Sequence, residues 1–381
     1  MSRTLVVTND FPTRRGGIEA FVYALCDRMP PDEVVVYTAS MPGAVVFDGR
    51  LRFPVVRDRS STLLPTPAVA ARVERVFRDH GCDRVVFGAA APLGLLAPRL
   101  REAGARRIVG LTHGHETWWA RTPGARAALR RIGDSCDALT YVSGWCRDVV
   151  ATALSPDAAG RMERLAPGVD AGRFRPGCGG AELRSRLGIG PDVPVVVCTA
   201  RMVARKGQDT LLRAWPRVLD REPGARLLVV GDGPRYGALT RLAGALGVED
   251  SVVFTGGVPW ERMSAYVDAG NVFAMPCRTR LGGLEPEALG IVALEAQACG
   301  LPVVIGDSGG ASEAVRHGAT GYVVDPYNPV AVATRLVGLL RDRDLADGMG
   351  AAGREWVASE WTWPTSVATL RRLLGDRGRV R

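Results

Sequence analysis

Two cations, Arg201 and Lys206, stand in a loop that is predicted to follow a buried strand. The segment 201–209 lies between a β-branched run at 195–200 and a helical pattern at 210–219. At the carboxyl end of a strand, Arg201 can bind a pyrophosphate with its planar guanidinium while Lys206 supplies a compact point charge. Lys206 is the single lysine among 49 basic residues. The alternative is that this lysine was retained by chance, but its position in the loop favours a specific site for the ammonium group.

Two glutamates eight residues apart form the second candidate group. Glu287 and Glu295 flank a predicted helix start that has Pro286 and Gly290 in its first turn. At about 100° per residue, the two side chains would differ by about 80° around the helix axis, so one ligand could reach both. The amides of Gly290 and Ile291 would be free to bind a phosphate. Two glutamates on one helix are usually solvated, but Glu295 lies in an apolar run, and a buried carboxylate needs a partner.

Two further loops follow predicted strands in the first half of the chain. Gly16 and Gly17 join the first strand to a helical pattern, where paired glycines let a ligand approach the backbone and the helix N-terminus. A double glycine can also serve turn geometry alone. The second loop, Thr112-His-Gly-His-Glu116, holds two of the four histidines. No carboxylate or cysteine stands at ligand spacing, so a hydrogen-bonding histidine is favoured over a metal ligand.

Short β-branched runs alternate with helical patterns along the chain, which is typical of parallel sheets with helices on both faces. A Pro- and Gly-rich tract at 166–180 separates two such series. We therefore predict an α/β protein with two doubly wound, Rossmann-like domains facing each other across a ligand cleft. The predicted domains are residues 1–172, residues 173–355 and a C-terminal helix, 356–381, that packs back toward the first domain. The predicted strands are 5–8, 34–38, 84–88, 107–112, 138–142, 195–200, 226–231, 251–256, 271–276 and 302–306.

Composition excludes several classes of protein. The chain has 381 residues, of which 46% are hydrophobic, with 46 Gly and 25 Pro; these values exclude a collagen, a coiled coil and a largely disordered chain. The net charge is +9, and the segment 51–131 accounts for all of it with 15 Arg against 6 acidic residues. Without nucleic-acid-binding motifs, this surplus favours an acidic membrane surface or a phosphorylated ligand, or else a solvated basic face.

Cysteine and histidine usage indicates a reducing compartment and no metal site. The eight cysteines contain no Cys-x-x-Cys pair, so we expect free, buried thiols in the cytoplasm. The four histidines offer no zinc-ligand spacing. We expect no signal peptide, because the residues before the first predicted strand contain no apolar segment of that kind. The longest apolar stretch, 85–98, is too short and broken to span a bilayer. Any contact with a membrane is expected to be peripheral.

These motifs together resemble the retaining glycosyltransferases of family 4, which have the GT-B architecture of two Rossmann-like domains facing across a cleft. The resemblance covers nearly the whole chain, and the spacing of Glu287 and Glu295 is its most specific element. Within the family, the segments 201–209, 273–284 and 294–300 are most similar to those of actinobacterial mannosyltransferases that act on phosphatidylinositol monomannoside.

The resemblance implies a role for each candidate residue. Arg201 and Lys206 would hold the donor pyrophosphate and stabilise the departing nucleotide. Glu295 would bind the nucleotide ribose and Glu287 the transferred sugar. The remaining donor contacts implied are the amides of Gly290 and Ile291, the Gly16-Gly17 loop, the backbone around Val258, and His113, with His115 as the less favoured histidine.

The implied activity is transfer of mannose from GDP-mannose to a phosphatidylinositol mannoside-type lipid through an α-1,6 linkage. No metal and no cofactor beyond the nucleotide-sugar donor is implied. The basic first domain would bind anionic glycolipid or the inner face of the plasma membrane, and nucleic acid is not an expected partner. The alternatives are a GDP- or UDP-sugar transferase with a soluble acceptor, and a non-catalytic nucleotide- or nucleic-acid-binding protein. The oligomeric state is left open.

Overall fold

Two compact units make up the chain. The computed structural model describes residues 2–14 and 16–376. Unit 1 joins Met1–Pro167 to Trp363–Arg381, and unit 2 is Gly168–Thr362. The observed boundaries lie a few residues from those predicted after residues 172 and 355.

The sheet of unit 1 is parallel and has seven strands in the order β3-β2-β1-β4-β5-β6-β7. The register pairs Thr4 with Val34 on one side of β1 and with Arg84 on the other. Every residue of β1 is buried, because helices cover both faces of such a sheet. The strands are β1 (Thr4–Thr8), β2 (Val34–Thr38), β3 (Val55–Arg57), β4 (Arg84–Phe87), β5 (Arg107–Gly110), β6 (Ala138–Tyr141) and β7 (Glu163–Arg164).

The helices of unit 1 follow the strands and enclose a core of aliphatic side chains. They are α1 (Gly17–Asp27), α2 (Ala44–Asp48), α3 (Pro67–Asp79), α4 (Ala97–Glu102), α5 (Glu116–Arg121), α6 (Pro123–Ser135), α7 (Gly144–Ala151) and α8 (Pro156–Gly160).

Unit 2 has a parallel six-stranded sheet in the order β10-β9-β8-β11-β12-β13. Its strands are β8 (Val195–Thr199), β9 (Arg226–Val230), β10 (Val252–Gly256), β11 (Val272–Met275), β12 (Val303–Gly306) and β13 (Gly321–Val324). Its helices are α9 (Gly180–Arg186), α10 (Gln208–Leu219), α11 (Tyr236–Ala245), α12 (Met263–Asp268), α13 (Ile291–Ala298), α14 (Pro329–Arg341) and α15 (Arg343–Glu360). The two doubly wound sheets confirm the predicted α/β fold class.

The C-terminal segment differs from the single helix predicted for it. Helix α15 ends at Glu360, and α16 (Trp363–Leu373) belongs to unit 1. Pro364 explains the break, because proline is accommodated in the first turn of a helix but not in its interior. Trp363 packs on Phe21 of α1 at a centroid distance of 6.0 Å, so α16 is anchored to unit 1 by an indole.

All eight cysteines are free thiols, and seven of them are buried. No helix of residues 2–14 and 16–376 is long and apolar enough to cross a membrane.

Candidate active site

The loop between β8 and α10 carries the predicted cations. Its last residues form a short 3₁₀ turn, Ala204–Lys206, and Gly207 then starts α10 with φ at +74°. A side chain at Gly207 would overlap the carbonyl oxygen of Pro276. Only glycine allows both this backbone conformation and this close approach. The position of Lys206 is therefore set by a turn that packs against the end of β11.

Replacing Gly207 with alanine is expected to lower the free energy of unfolding by more than about 2 kcal/mol, because the left-handed conformation and the steric overlap both oppose the new methyl group. Urea unfolding measures the change. Gly338 on α14 is the matched control: it has open space around it, so its replacement by alanine should stabilise the protein by about 0.5–1 kcal/mol. Equal effects at the two positions would contradict the assigned turn geometry.

Lys206 and Arg205 converge on one oxygen of Glu287. The Lys206 Nζ atom lies 2.7 Å from Glu287 Oε2, and Arg205 Nη1 lies 2.9 Å from the same atom. The side chains of Lys206 and Glu287 are 12% and 10% exposed. Burial alone would raise the pKa of Glu287, but the charges of Lys206 and Arg205, with hydrogen bonds from Lys206 and the Gly290 amide, lower it. Glu287 is therefore an ionised, triply contacted carboxylate. Sequence reasoning had not assigned a role to Arg205.

The helical relationship predicted between Glu287 and Glu295 is wrong. Helix α13 begins at Ile291, after Gly290 with φ at +81°, so Glu287 lies in the irregular segment before the helix and the 80° estimate does not apply. The Gly290 amide, predicted to be free for a phosphate, lies near enough to the Glu287 carboxylate to help lower its pKa. Ile291 stands at the first position of α13, where a helix has amides without intrahelical partners.

Glu295 is buried inside α13, in surroundings unlike those of Glu287. Glu295 is 6% exposed. Burial raises its pKa to about 8, although the positive charge of Arg173 opposes this increase. The Arg173 guanidinium lies 5.4 Å from the centre of the Trp260 ring. Glu287, which precedes α13, is thus charged at neutral pH, whereas Glu295, within the helix, is protonated.

Arg201 and Val258 lie at the same edge of the sheet as Lys206. Arg201 follows β8 with an exposed side chain, and its carbonyl accepts a hydrogen bond from Gln208 Nε2 at 3.3 Å. Val258 follows β10, two strands from β8. Among the described residues, no ion pair joins Arg201 to Glu287 or Glu295. The carboxyl edge of a doubly wound sheet is where such folds bind ligands.

Gly16, Gly17 and His113 lie at the carboxyl edge of the unit 1 sheet. Gly17 begins α1 and has open space where a side chain would stand, whereas a Cβ at Gly16 would overlap the carboxylate of Glu19. The His113 ring meets Phe21 edge to face at 5.6 Å. Its Nε2 atom lies 2.5 Å from the carbonyl oxygen of Gly88.

The environment of His113 fixes its protonation. A carbonyl can only accept, so Nε2 carries a proton and Nδ1 is left as an acceptor. Burial lowers the pKa of His113, the charge of His115 lowers it further, and the charges of Glu116 and Asp10 oppose this. His113 is therefore neutral at pH 7. Among the described residues, no three His, Cys, Asp or Glu side chains are grouped as metal ligands would be.

Comparison with known proteins shows where these units belong. The model for Glycosyltransferase Family 4 matches residues 15–173, and the model for glycosyl transferases group 1 matches residues 181–356. The solved structure of Anabaena HepE in complex with UDP has a TM-score of 0.81 and 19% identity, covering 98% of this chain and 100% of that one. That structure shares the fold.

Two mannosyltransferases are among the relatives that match along nearly their whole length. The chain is 49% identical, over 99% of both chains, to the GDP-mannose-dependent alpha-(1-6)-phosphatidylinositol monomannoside mannosyltransferase of Mycobacterium tuberculosis. It is 41% identical, also over 99% of both, to the GDP-mannose-dependent monoacylated alpha-(1-6)-phosphatidylinositol monomannoside mannosyltransferase of Corynebacterium glutamicum. The likeness to these two enzymes, with the two family models, shows that the chain belongs to the family 4 glycosyltransferases.

Proposed function

We propose that the protein transfers mannose from GDP-mannose to a phosphatidylinositol monomannoside lipid, forming an α-1,6 linkage with retention of anomeric configuration and without a metal ion. The observation that carries the proposal is the cluster of Lys206, Arg205 and Glu287 beside the N-terminus of α13. The proposal assigns the nearly buried Lys206 ammonium group to the stabilisation of the diphosphate leaving group. The donor and acceptor are those named for the full-length relatives.

The cations act on the donor diphosphate in this proposal. Lys206 and Arg201 bind its oxygens, and the amides at Gly290 and Ile291 add hydrogen bonds at the helix N-terminus. The diphosphate replaces Glu287 as the partner of Lys206 and of the Gly290 amide. Glu287 can then accept hydrogen bonds from hydroxyl groups of the mannose while Arg205 keeps it charged and in place.

The nucleoside is assigned to Glu295 and Val258. An ionised Glu295 can accept hydrogen bonds from both ribose hydroxyls, and the backbone near Val258 contacts the base. Because the carboxyl group is neutral in the absence of ligand, binding of the ribose requires that it lose its proton.

Unit 1 supplies Gly16, Gly17 and His113 in this assignment. The open space at Gly17 admits a phosphate to the first turn of α1. The neutral His113 ring offers Nδ1 as an acceptor for a hydroxyl group of the transferred sugar.

The proposed reaction needs no nucleophile from the protein. The bond between mannose C1 and the diphosphate oxygen breaks first, and fixed cations stabilise the negative charge on the leaving group. The acceptor hydroxyl then forms its bond to C1 on the same face. Its proton passes to an oxygen of the departing phosphate, so the balance of atoms and charge is complete.

Transfer assays distinguish this proposal from its alternatives. Labelled GDP-mannose and UDP-linked hexoses are each offered with phosphatidylinositol monomannoside in detergent and with soluble sugars, with and without EDTA. Product from GDP-mannose and the lipid alone, unchanged by EDTA, is expected. Transfer to soluble sugars only would support the alternative acceptor class, loss of activity in EDTA would overturn the metal-free mechanism, and binding of nucleotide without any product would indicate a non-catalytic protein.

The acceptor side is proposed to be a membrane surface held through unit 1. Leu64 is 54% exposed and Trp118 is 45% exposed, and both lie within the segment 51–131 that carries the surplus of arginine. A groove of about 570 Å³ is lined by Pro65, Leu95 and Arg131, together with Glu74 and Glu102. Apolar side chains and cations at one surface suit an anionic lipid, and each well-placed basic residue contributes about 1 kcal/mol.

Ion pairing limits which arginines can serve this surface. Eight of the 15 arginines in segment 51–131 pair with carboxylates: Arg52, Arg57, Arg72, Arg78, Arg84, Arg99, Arg101 and Arg107. Within the part of the chain that the structure describes, Arg59, Arg75, Arg106, Arg130 and Arg131 are exposed and pair with no carboxylate. Co-sedimentation with phosphatidylinositol-containing vesicles, compared with phosphatidylcholine vesicles, tests the proposal, and equal binding to both would overturn it.

A further inference from the structure

Glu116 is a fully buried carboxylate that the reaction described above does not use. It is 0% exposed and stands at the first position of α5, directly after the loop that carries His113. Its Oε2 atom accepts the backbone amide of His113 at 2.9 Å and that of Gly114 at 3.2 Å. One oxygen of Glu116 thus fixes the backbone on which the His113 ring is mounted.

The other oxygen of Glu116 points to the second histidine of the loop. Among the residues that the structure describes, Glu116 Oε1 has no hydrogen-bond partner, although the His115 Nε2 atom lies 3.2 Å away. The same Nε2 lies 3.5 Å from the carbonyl oxygen of Ala91. The carbonyl of Ala91 can only accept, so His115 Nε2 carries a proton that points to Ala91. The His115 ring therefore lies beside the Glu116 carboxylate without hydrogen-bonding to it.

The loop is closed on its other sides by hydrogen bonds that leave little freedom. Thr117 Oγ1 donates to the carbonyl of Gly114 at 2.6 Å, and Thr112 Oγ1 donates to the carbonyl of Thr140 at 2.6 Å. Burying a carboxylate is costly unless its oxygens are hydrogen-bonded or paired. Neutral hydrogen bonds alone could close this turn without the free-energy cost of burying a charge. The buried carboxylate therefore indicates a role in fixing the position of His113.

We propose that Glu116 is a positioning residue for His113: its buried carboxylate fixes the loop backbone through the amides of His113 and Gly114, so that His113 presents Nδ1 to the transferred sugar. The inference rests on the proposed function for the identity of the sugar. It assigns no contact between Glu116 and the substrate.

Replacement of Glu116 with glutamine tests the role of the charge while keeping the shape. The glutamine carbonyl can still accept the His113 and Gly114 amides, so the loop can fold. The charged or titratable groups that act on His113 are Glu116, Asp10 and His115. The negative charge of Glu116 raises the pKa of His113. Loss of this charge in E116Q should therefore lower the pKa of His113 further.

Titration of ¹⁵N-labelled histidine by NMR measures this change, and the spectrum of an H113Q variant assigns the resonance. A merely structural role predicts the opposite result, because a loosened loop would admit water and raise the pKa of His113 toward its ordinary value. An unchanged or raised value would overturn the proposal, and a lowered value supports it. Because this readout needs no substrate, it stands even if the transfer assay fails.

Kinetics supply the second test. E116Q is expected to lower kcat on the order of 10–100-fold with little change in KM for the donor, because a displaced group costs rate more than binding. Added to H113Q, it should have no further effect. Asp79→Asn, at an exposed carboxylate of the same unit, is the control and should keep wild-type rates. Wild-type kcat in E116Q, or full additivity with H113Q, would overturn the proposal.

Discussion

Replacing Lys206 with alanine is expected to lower kcat by about 10²–10³-fold, the loss typical of removing one fixed group that stabilises a developing negative charge. Lys206→Arg should retain more activity than Lys206→Ala, because it keeps the charge but replaces a compact ammonium with a planar group. Steady-state transfer of labelled mannose measures both. Wild-type rates in both variants would show that Lys206 does not act on the leaving group.

The stability of the Lys206 variant has to be separated from its activity. Removing Lys206 leaves Glu287 with Arg205 as its one remaining cation in the cluster, and loss of one partner of a buried ion pair costs about 3–5 kcal/mol. The double variant Lys206→Ala, Glu287→Gln removes the uncompensated charge. It should recover thermal stability but not activity. Recovery of both would mean that the lysine only neutralises Glu287.

The strands of both units could be predicted because their apolar, β-branched runs are buried on both faces. Three strands were missed, β3, β7 and β13. Strand β7 has two residues and β3 has three, all of them partly or fully exposed, so neither forms an apolar run. Strand β13 begins with Gly321, and glycine is disfavoured in strands. A run of apolar residues indicates a buried strand, and these three strands at the edges of the sheets are less buried than an inner strand such as β1.

Sequence patterns identify residues of the candidate site but not the contacts that these residues make with one another. Loop positions after β8 and β11 follow from chain order, whereas the meeting of Lys206 and Arg205 on one oxygen of Glu287 depends on how Gly207 packs against Pro276. Arg205 was overlooked because one more arginine carries no information in a chain with 48 of them. Glu116 was overlooked because sequence does not show that a carboxylate is buried.

The charge on the folded surface also cannot be predicted from the sequence alone. Segment 51–131 carries a surplus of nine positive charges by count. Five of its arginines pair with carboxylates that lie elsewhere in the chain, at Asp27, Asp48, Asp376 and, for two of the arginines, Asp137. The positive charge that the folded surface can offer to a membrane is therefore smaller than the surplus along the sequence. The electrostatic part of the membrane proposal rests on the exposed arginines that pair with no carboxylate.

Glu295→Gln is expected to remove a pH dependence of both stability and nucleotide binding. The pKa of Glu295 is raised from 4.5 to about 8 in the folded protein. Between these values the folded state holds a proton that the unfolded chain releases, so the stability of the wild type falls as the pH rises from about 5 to 8. The full shift corresponds to about 5 kcal/mol. Urea unfolding at pH 5, 7 and 9 should show a decline with pH that is steeper in the wild type than in the glutamine variant.

Nucleotide binding should show the opposite slope. Ribose hydroxyls donate hydrogen bonds to the ionised carboxylate, so GDP binding at pH 7 expels the Glu295 proton and tightens by up to about 10-fold per pH unit between pH 6 and 8. Calorimetry in buffers with different ionisation enthalpies should detect release of nearly one proton by the wild type and none by Glu295→Gln. In Arg173→Gln, loss of the charge that opposes burial should move the steep region of the binding curve to higher pH. GDP affinity that does not change with pH in the wild type would contradict the assignment of Glu295 to the ribose.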